Sequence, residues 1–288
     1  MLNDIEIHAD DFGLFENQSN RIIECIDNGA VNSISIMPNS PNLKNSMILL
    51  GNRDIKIAVH LNFVEGKAIS PIEKISHLVD HNGIFNSSFF KLLAGSYIPF
   101  YRGVLKREAK IEIANQINAT KDYVKENDFR IDGHCHYHMI PVVFDALMEV
   151  LLDENISVSY IRIPDESLNF YHKKGVREKI KFINIVKTCI LHVLTKRAFL
   201  RYGAFLRNLE KRTFYGVTYS GQMNSTNAKY ILDNLDLNER AEILFHPGSV
   251  IEEGDVAQLT NSDDIVFLTS ENRHCEAVAT KDICTKYA

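Results

Sequence analysis

The chain has 288 residues, of which 45% are hydrophobic and 24% charged, the composition of an ordinary soluble globular protein. A formal net charge of −5 argues against a general affinity for nucleic acid. Five scattered cysteines are typical of a reducing cytosol rather than of a disulfide-bonded scaffold. The sequence shows no secretory signal and no apolar run long enough to span a bilayer, so we expect a cytoplasmic protein.

Strand-like and helix-like segments alternate along the chain. The first, DIEIHADDFG, alternates apolar and polar residues and stops at Gly13, which predicts a strand that ends in a turn. The other predicted strands are VNSISIMPN, IKIAVHLNF, residues 129–134, SVSYIRIP, TFYGVTYSG and AEILFHP. The predicted helices are NQSNRIIECIDNG, residues 105–127, PVVFDALMEVLLDEN, a long region after SVSYIRIP, and a helix near 226–235. This alternation predicts parallel βαβ units in one domain over residues 1–288.

Polar residues follow the carboxyl ends of five predicted strands, where parallel α/β folds collect their chemistry. They are His8 to Asp11, His60, His134, Arg162 and His246. Their convergence predicts a functional site at one rim of the sheet.

Three histidines stand two residues apart in IDGHCHYHMIP, residues 131–141. If the strand continues through them, the imidazoles of His134, His136 and His138 project from one face, and Cys135 points away into packing. One interpretation is a three-histidine zinc site. However, residues i and i+4 of a strand lie roughly 13 Å apart, which favours one ligand from each strand end instead. The competing ligand set is Asp11, His60 and one histidine of the row, and spacing alone leaves both sets open.

Adjacent carboxylates, Asp10 and Asp11, can line one cavity if the strand turns at Gly13; the alternative is a turn in which one aspartate caps the next helix. One carboxylate with two imidazoles suits Zn²⁺, Mn²⁺ or Mg²⁺. A second carboxylate can act as general base, and a histidine across the pocket can protonate a leaving amine. These residue types therefore predict metal-dependent hydrolysis of an amide or ester.

HADDFG, VHLNFVEGK, IDGHCHYHMIP, YIRIPDE and LFHPG, in this order, resemble the YdjC-like family of carbohydrate deacetylases, which includes chitooligosaccharide deacetylase. The resemblance implies a TIM-barrel-like (β/α) fold, distorted or incomplete, related to polysaccharide deacetylases. It implies one divalent metal ion held by Asp11, His60 and His134, with Asp10 as base and His246 as acid. The implied substrates are N-acetylated sugars, and the implied product is acetate.

The remaining motif residues are candidates for supporting roles in the site. His8 stands where the family often carries asparagine, which alters hydrogen bonding in the pocket. We expect His136 and His138 to orient the ligands or contact substrate hydroxyls. Arg162 and Glu166 match a family segment and are candidates for substrate binding, with a structural ion pair at the rim as the alternative. Other functions that remain open are a metal-dependent amidohydrolase or phosphoesterase on another small substrate, and a non-catalytic sugar-binding barrel.

Residues 172–212 carry twelve lysines or arginines against two glutamates. Apolar residues recur at helical spacing within this segment: Ile180, Ile183, Val186, Ile190 and Val193. The simplest interpretation is a barrel helix with a solvated basic face. The alternatives are an amphipathic surface that meets anionic lipid or an anionic glycan, and a homodimer interface of the kind implied by the family resemblance.

Overall fold

The computed structural model describes residues 5–236, 238–248 and 253–287. Seven parallel strands form one sheet that curls into a half-barrel, which confirms the predicted TIM-barrel-like α/β fold in its distorted form. The strands are β1 (Ile5–Phe12), β2 (Ser33–Ile36), β3 (Lys56–Leu61), β4 (Arg130–Gly133), β5 (Tyr160–Ile161), β6 (Thr213–Tyr215) and β7 (Ala241–Phe245). Their order across the sheet is β5-β4-β3-β2-β1-β7-β6, so all carboxyl ends meet at the same rim.

Ten α-helices connect the strands or follow them among the described residues. They are α1 (Glu16–Asp27), α2 (Leu43–Leu50), α3 (Phe89–Gly95), α4 (Pro99–Thr120), α5 (Pro141–Asp153), α6 (Phe182–Leu206), α7 (Ser225–Asn234), α8 (Glu253–Val256), α9 (Ser262–Leu268) and α10 (Asn272–Tyr287). Pro141 occupies the first turn of α5, where a missing N–H costs nothing, as the sequence predicts. The predicted polar helix over 105–127 starts earlier, at Pro99, and ends at Thr120.

Apolar side chains form two main cores. One packs α4, α5 and α6 against β3 and β4, with Val59, Ile131 and Phe144 fully buried. The other packs α1, α7 and α10 against β1, β2 and β7, with Ile7, Ile34 and Ile243 fully buried. Helix α5 is buried along most of its length, in accordance with its almost uninterrupted apolar sequence.

Ion pairs occupy the inside of the half-barrel at the end opposite the rim formed by the carboxyl ends of the strands. Arg130 is buried and donates to both carboxylate oxygens of Glu6, at 2.9 and 2.7 Å. Arg212 lies 2.9 Å from the same carboxylate. Since a buried charge is stable only when it is paired, these contacts let the interior be polar without unpaired ions.

Two further predictions concern the chain ends and membrane contact. The predicted first strand begins at Ile5 among the described residues, and Asp4 lies outside them. Across the helices that the structure describes, none has the length and apolar character needed to pass through a bilayer.

Candidate metal centre

The two adjacent aspartates at the end of β1 enter one site because the strand is irregular there. Asp11 has a positive φ of 67°, and the pairing of β1 with β2 shifts register between Ala9 and Phe12. Aspartate tolerates this left-handed conformation better than most residues because its side chain is short and polar. Both carboxylates are buried, and His60 Nε2 lies 3.9 Å from Asp10 Oδ2 and 3.2 Å from Asp11 Oδ1. These distances support the predicted shared cavity.

Strands β3 and β4 place His60 beside Asp132. The two residues are partners in the register of the parallel pair. His60 Nδ1 donates to Asp132 Oδ1 over 2.6 Å, which leaves His60 Nε2 as the nitrogen aimed at Asp11, 3.2 Å from its Oδ1. Burial alone would lower the pKa of His60, but Asp10 and Asp132 raise it to about 9.

The strand does not continue through the histidine row, so the three imidazoles do not project from one face. Strand β4 ends at Gly133, and His134–Met139 make a 3₁₀ turn in which Cys135 and His136 have positive φ. Cys135 is exposed rather than packed. The turn separates the three imidazoles, and only His134 points at Asp11, with Nδ1 2.8 Å from Oδ1.

Gly133 makes this turn feasible through a close approach. A Cβ at this position would lie 2.7 Å from His138 Nδ1 and 3.0 Å from His138 Cβ. Only glycine therefore lets the chain fold back so that His138 lies under the end of β4. His138 is fully buried there, and its Nε2 donates to the carbonyl of Arg162 over 2.9 Å. Burial lowers the pKa of His138 to about 4, so the ring is neutral at neutral pH.

Asp11, His60 and His134 together fit a divalent metal ion. Each offers one ligand atom, and these atoms lie within 4.8 Å of one another. Asp11 Oδ2 and His60 Nε2 are buried and have no hydrogen-bond partner among the described residues. Buried polar atoms without partners are rare in native proteins and suggest an ion or a water. One carboxylate and two imidazoles form a typical donor set for zinc and related ions.

Asp10 is held on the other side of the site by Arg162. The two guanidinium nitrogens Nη1 and Nη2 donate to Asp10 Oδ2 and Oδ1, over 3.0 and 2.9 Å. Arg162 Nη2 also lies 2.8 Å from Asp132 and 2.6 Å from Glu242. Burial would raise the pKa of Asp10, but Arg162 and then His60 hold it well below its ordinary value. Asp10 is therefore an ionised carboxylate with a fixed orientation.

A second group of metal-capable residues, His8, Asp10 and Asp132, adjoins the first. His8 bonds the hydroxyls of Ser33 and Ser35 at 2.7 and 2.6 Å and lies 3.3 Å from Asp10. Because the Arg162 guanidinium contacts both aspartates, a positive charge already stands beside this group. The group is therefore best understood as an ion-pair network that supports the first.

His246 approaches from β7 and faces Asp10. Its Nε2 lies 3.9 Å from Asp10 Oδ2, while its backbone N–H donates to Glu276 of α10 over 2.5 Å. The same Glu276 carboxylate lies 3.7 Å from His246 Nδ1, and the ring of Phe267 stands edge-on to the imidazole. The side chain of His246 keeps 18% of its surface accessible, whereas Asp10 is almost fully covered. His246 is thus positioned between solvent and the buried carboxylates.

His136 and Glu166 do not belong to either group of metal-capable residues. His136 is partly exposed, and its ring packs edge-on against Phe214. Glu166 is buried, accepts from the backbone of Gly216 and Thr218, and bonds the Tyr171 hydroxyl at 2.5 Å. Its contacts do not include Arg162, whose carboxylate partners are Asp10, Asp132 and Glu242. Arg162 thus forms structural ion pairs at the rim, as the alternative expected, but with these three carboxylates and not with Glu166.

Comparison with known proteins identifies the family. Residues 4–282 match the sequence model of the YdjC-like protein family. The chain belongs to this family. A solved structure from Enterococcus faecalis V583, provisionally named a cellobiose-phosphate cleavage protein, shares the fold of this YdjC-like chain with a TM-score of 0.60 at 18% identity, over 96% of this chain and 94% of that one.

Several curated relatives of the YdjC-like chain are named carbohydrate deacetylase. The Danio rerio protein is 28% identical over 161 residues, which are 56% of this chain and 49% of that protein. The Thermoanaerobacter pseudethanolicus protein is 28% identical over 178 residues, which are 62% of this chain and 67% of that protein. The human protein is 25% identical over 163 residues, 56% of this chain and 48% of that protein. The match spans about half the length of the animal relatives.

Sequence reasoning missed three carboxylates of the YdjC-like site. Asp132 is the acid of IDGH, and its place two residues before His134 on a strand end was the available signal. Glu242 lies inside β7 and Glu276 on α10, and neither belongs to a recognisable motif. Their contacts become visible only when distant segments fold together.

Proposed function

We propose that this YdjC-like chain is a metal-dependent hydrolase that removes acetyl groups from N-acetylated sugars and releases acetate. The observation that carries the proposal is the joint placement of three metal-capable ligand atoms within 4.8 Å, an ionised Asp10 beside them, and His246 3.9 Å from Asp10. The sugar class is supported by relatives that are named carbohydrate deacetylase.

Asp11, His60 and His134 would hold one divalent ion, which we propose to be Zn²⁺ or Mg²⁺, with Mn²⁺ as a further candidate. When bound, such an ion activates a water molecule and polarises the acetyl carbonyl. Asp132 would fix the tautomer of His60, because it accepts the Nδ1 proton and leaves Nε2 free to ligate.

Asp10 would accept the proton of the attacking water. Arg162 grips both of its oxygens, so Asp10 stays ionised and fixed in orientation, and its lone pairs outside that contact remain for a proton. A carboxylate with a low pKa is a weak base. It accepts a proton readily only from a water molecule whose own pKa has been lowered. The pairing of Asp10 with Arg162 is therefore consistent with a metal-assisted reaction.

His246 would donate a proton to the sugar nitrogen as the C–N bond breaks. Its position at the partly exposed side of the site lets the leaving sugar depart toward solvent, and the neighbouring Glu276 would hold the imidazole in place. We propose that His136, whose ring is partly exposed, contacts substrate. Arg162, His138 and Glu166 are buried and bonded within the protein, so we propose positioning roles for them instead of the substrate contacts expected from the sequence.

A two-metal phosphoesterase is less well supported. It would need a second ion among His8, Asp10 and Asp132, where the guanidinium of Arg162 already lies 2.8 and 2.9 Å from the two carboxylates. A second cation beside that guanidinium would be repelled.

The proposal is tested by acetate release from N,N′-diacetylchitobiose and N-acetylglucosamine. Metal-stripped protein is re-supplied with Zn²⁺, Mg²⁺ or Mn²⁺, and Asp10→Asn is compared with the control Asp54→Asn, whose side chain is 99% exposed. We expect metal-dependent acetate that the first variant loses and the second keeps. Absence of acetate with metal bound through Asp11, His60 and His134 would move the substrate away from these sugars. Failure to bind any of the metals would refute the mechanism.

A further inference from the structure

Helix α6 turns a line of apolar side chains toward solvent. Phe182, Val193 and Leu200 are 79%, 63% and 89% exposed. They are eleven and seven residues apart, close to three and two helical turns, so they fall on one line. The buried face of α6 consists of other residues, among them Leu191, Leu194 and Ala198. Ile183 and Val193, two of the apolar residues singled out in the sequence, are 57% and 63% exposed and therefore face mainly solvent.

Basic residues flank this apolar line, and α6 contains no aspartate or glutamate over its 25 residues. Lys196 and Arg207 are exposed and stand four residues before and seven residues after Leu200, within about 40° of the apolar line. Arg197 and Arg201 lie 2.8 and 3.5 Å from the buried Asp145 of α5, which anchors the middle of the helix. The outer surface of α6 is thus apolar along its centre and basic at its borders, the pattern of a helix that lies on an anionic lipid surface.

Side chains of α6 form hydrogen bonds with loops at the rim that contains the candidate metal centre. Thr188 Oγ1 lies 3.2 Å from Thr218 Oγ1, and Asn184 donates to the carbonyls of Thr218 and Ser220, in the loop after β6. His192 bonds Asp165, in the loop after β5, at 2.7 Å. A surface that contacts the outer face of α6 would therefore lie next to the end of the barrel that contains the candidate metal centre.

We infer that the outer face of α6 docks on an anionic lipid bilayer, with Phe182, Val193 and Leu200 in the interfacial region and the flanking lysines and arginines among the headgroups. The main alternative occupant is a second copy of the chain. A two-fold pairing of α6 with itself would bring basic borders together, since α6 itself supplies no carboxylate to pair with them. Charge complementarity thus favours anionic lipid. This inference does not depend on the proposed reaction.

The test is co-sedimentation of the full chain with vesicles of phosphatidylcholine alone or mixed with phosphatidylglycerol, at low and at raised ionic strength. The apolar line is removed by Val193→Glu with Leu200→Glu, and the basic border by Lys196→Ala with Arg207→Ala. The matched control is Ile48→Glu with Val266→Glu, two apolar residues that are 69% and 73% exposed on other helices. Circular dichroism melting checks that every variant folds.

We expect the wild type and the control to bind the mixed vesicles at low ionic strength and to release them as salt screens the charges. Loss of the apolar line should weaken the partition coefficient by about tenfold or more. Each basic residue removed should weaken it by about fivefold. Three results would overturn the inference: no binding of the wild type to mixed vesicles, equal binding of the control and the apolar-line variant, or a wild-type dimer in sedimentation velocity that the apolar-line variant splits.

Discussion

Asp132→Asn removes one carboxylate charge from behind His60 and keeps the shape of the side chain. Asp132 accepts from His60 Nδ1 at 2.6 Å on one oxygen, while its other oxygen accepts from Ser35 and lies 2.8 Å from Arg162 Nη2. Burial would raise the pKa of Asp132, but Arg162 and His60 lower it to about 2, so it is ionised at neutral pH. The variant therefore replaces an acceptor-only group with one that has a donor on one side.

Both orientations of the new amide are unfavourable. If its oxygen stays toward His60, its NH₂ faces the donors Ser35 and Arg162. If it flips, its NH₂ faces His60 Nδ1, which must then accept, so the ring proton moves to Nε2 and that nitrogen can no longer ligate. Loss of such a carboxylate partner typically weakens metal affinity by about tenfold to 100-fold, or about 1.4 to 2.8 kcal/mol.

The assay is competition between the metal-stripped protein and a chromophoric chelator for Zn²⁺. Asp128→Asn is the control, because this carboxylate precedes the same strand, contacts Arg130 at 3.6 Å and lies outside the His60 contacts. We expect the control to match the wild type. If Asp132→Asn binds zinc as tightly as the control while its thermal unfolding is unchanged, Asp132 does not set the tautomer of His60.

Three other changes test separate parts of the structure. Arg162→Lys keeps the charge but loses the two-pronged contact with Asp10, so we expect kcat for acetate release to fall about tenfold or more with zinc affinity almost unchanged. Gly133→Ala would place Cβ 2.7 Å from His138, so urea unfolding should show a loss of about 1 to 3 kcal/mol, and no loss would mean that the turn can shift. Burial raises the pKa of Asp145, but bonds from two arginines and a tyrosine outweigh it and lower that pKa. Its stabilising contribution is therefore complete above the unfolded pKa of about 3.9 and is lost as pH falls through the lower folded value. Asp145→Asn should cost about 1 to 3 kcal/mol in unfolding at pH 7, a gap that closes in acid, and a gap that persists in acid would refute the charge argument.

The architecture was predictable because it depends on local patterns. Alternation of strands and helices, the stop at Gly13 and the proline at the start of α5 each act within about ten residues of chain. The carboxyl ends of parallel strands lie at one rim regardless of how the side chains pack. For this reason the sequence could predict that five residues lie close together: Asp10, Asp11, His60, His134 and His246.

Features that depend on packing could not be obtained in this way. The histidine row alternates like a strand, and the close approach of His138 to Gly133, where the strand ends, is visible only in the folded chain. Glu276 stands thirty residues after His246, on the last helix, and no spacing rule connects the two. The apolar residues of α6 follow helical spacing, but spacing alone does not tell which face the barrel covers.

The two adjacent aspartates show how one backbone irregularity decides the chemistry that this rim can support. On a regular strand Asp10 and Asp11 would point to opposite faces, and one of them would enter an apolar core at great cost. The left-handed conformation of Asp11 brings both carboxylates to the same side, where each contacts different partners. Arg162 binds Asp10, and His60 and His134 surround Asp11. In the proposed reaction Asp10 is the base and Asp11 is a metal ligand. Because the two side chains are chemically identical, their positions and neighbours must determine these different roles.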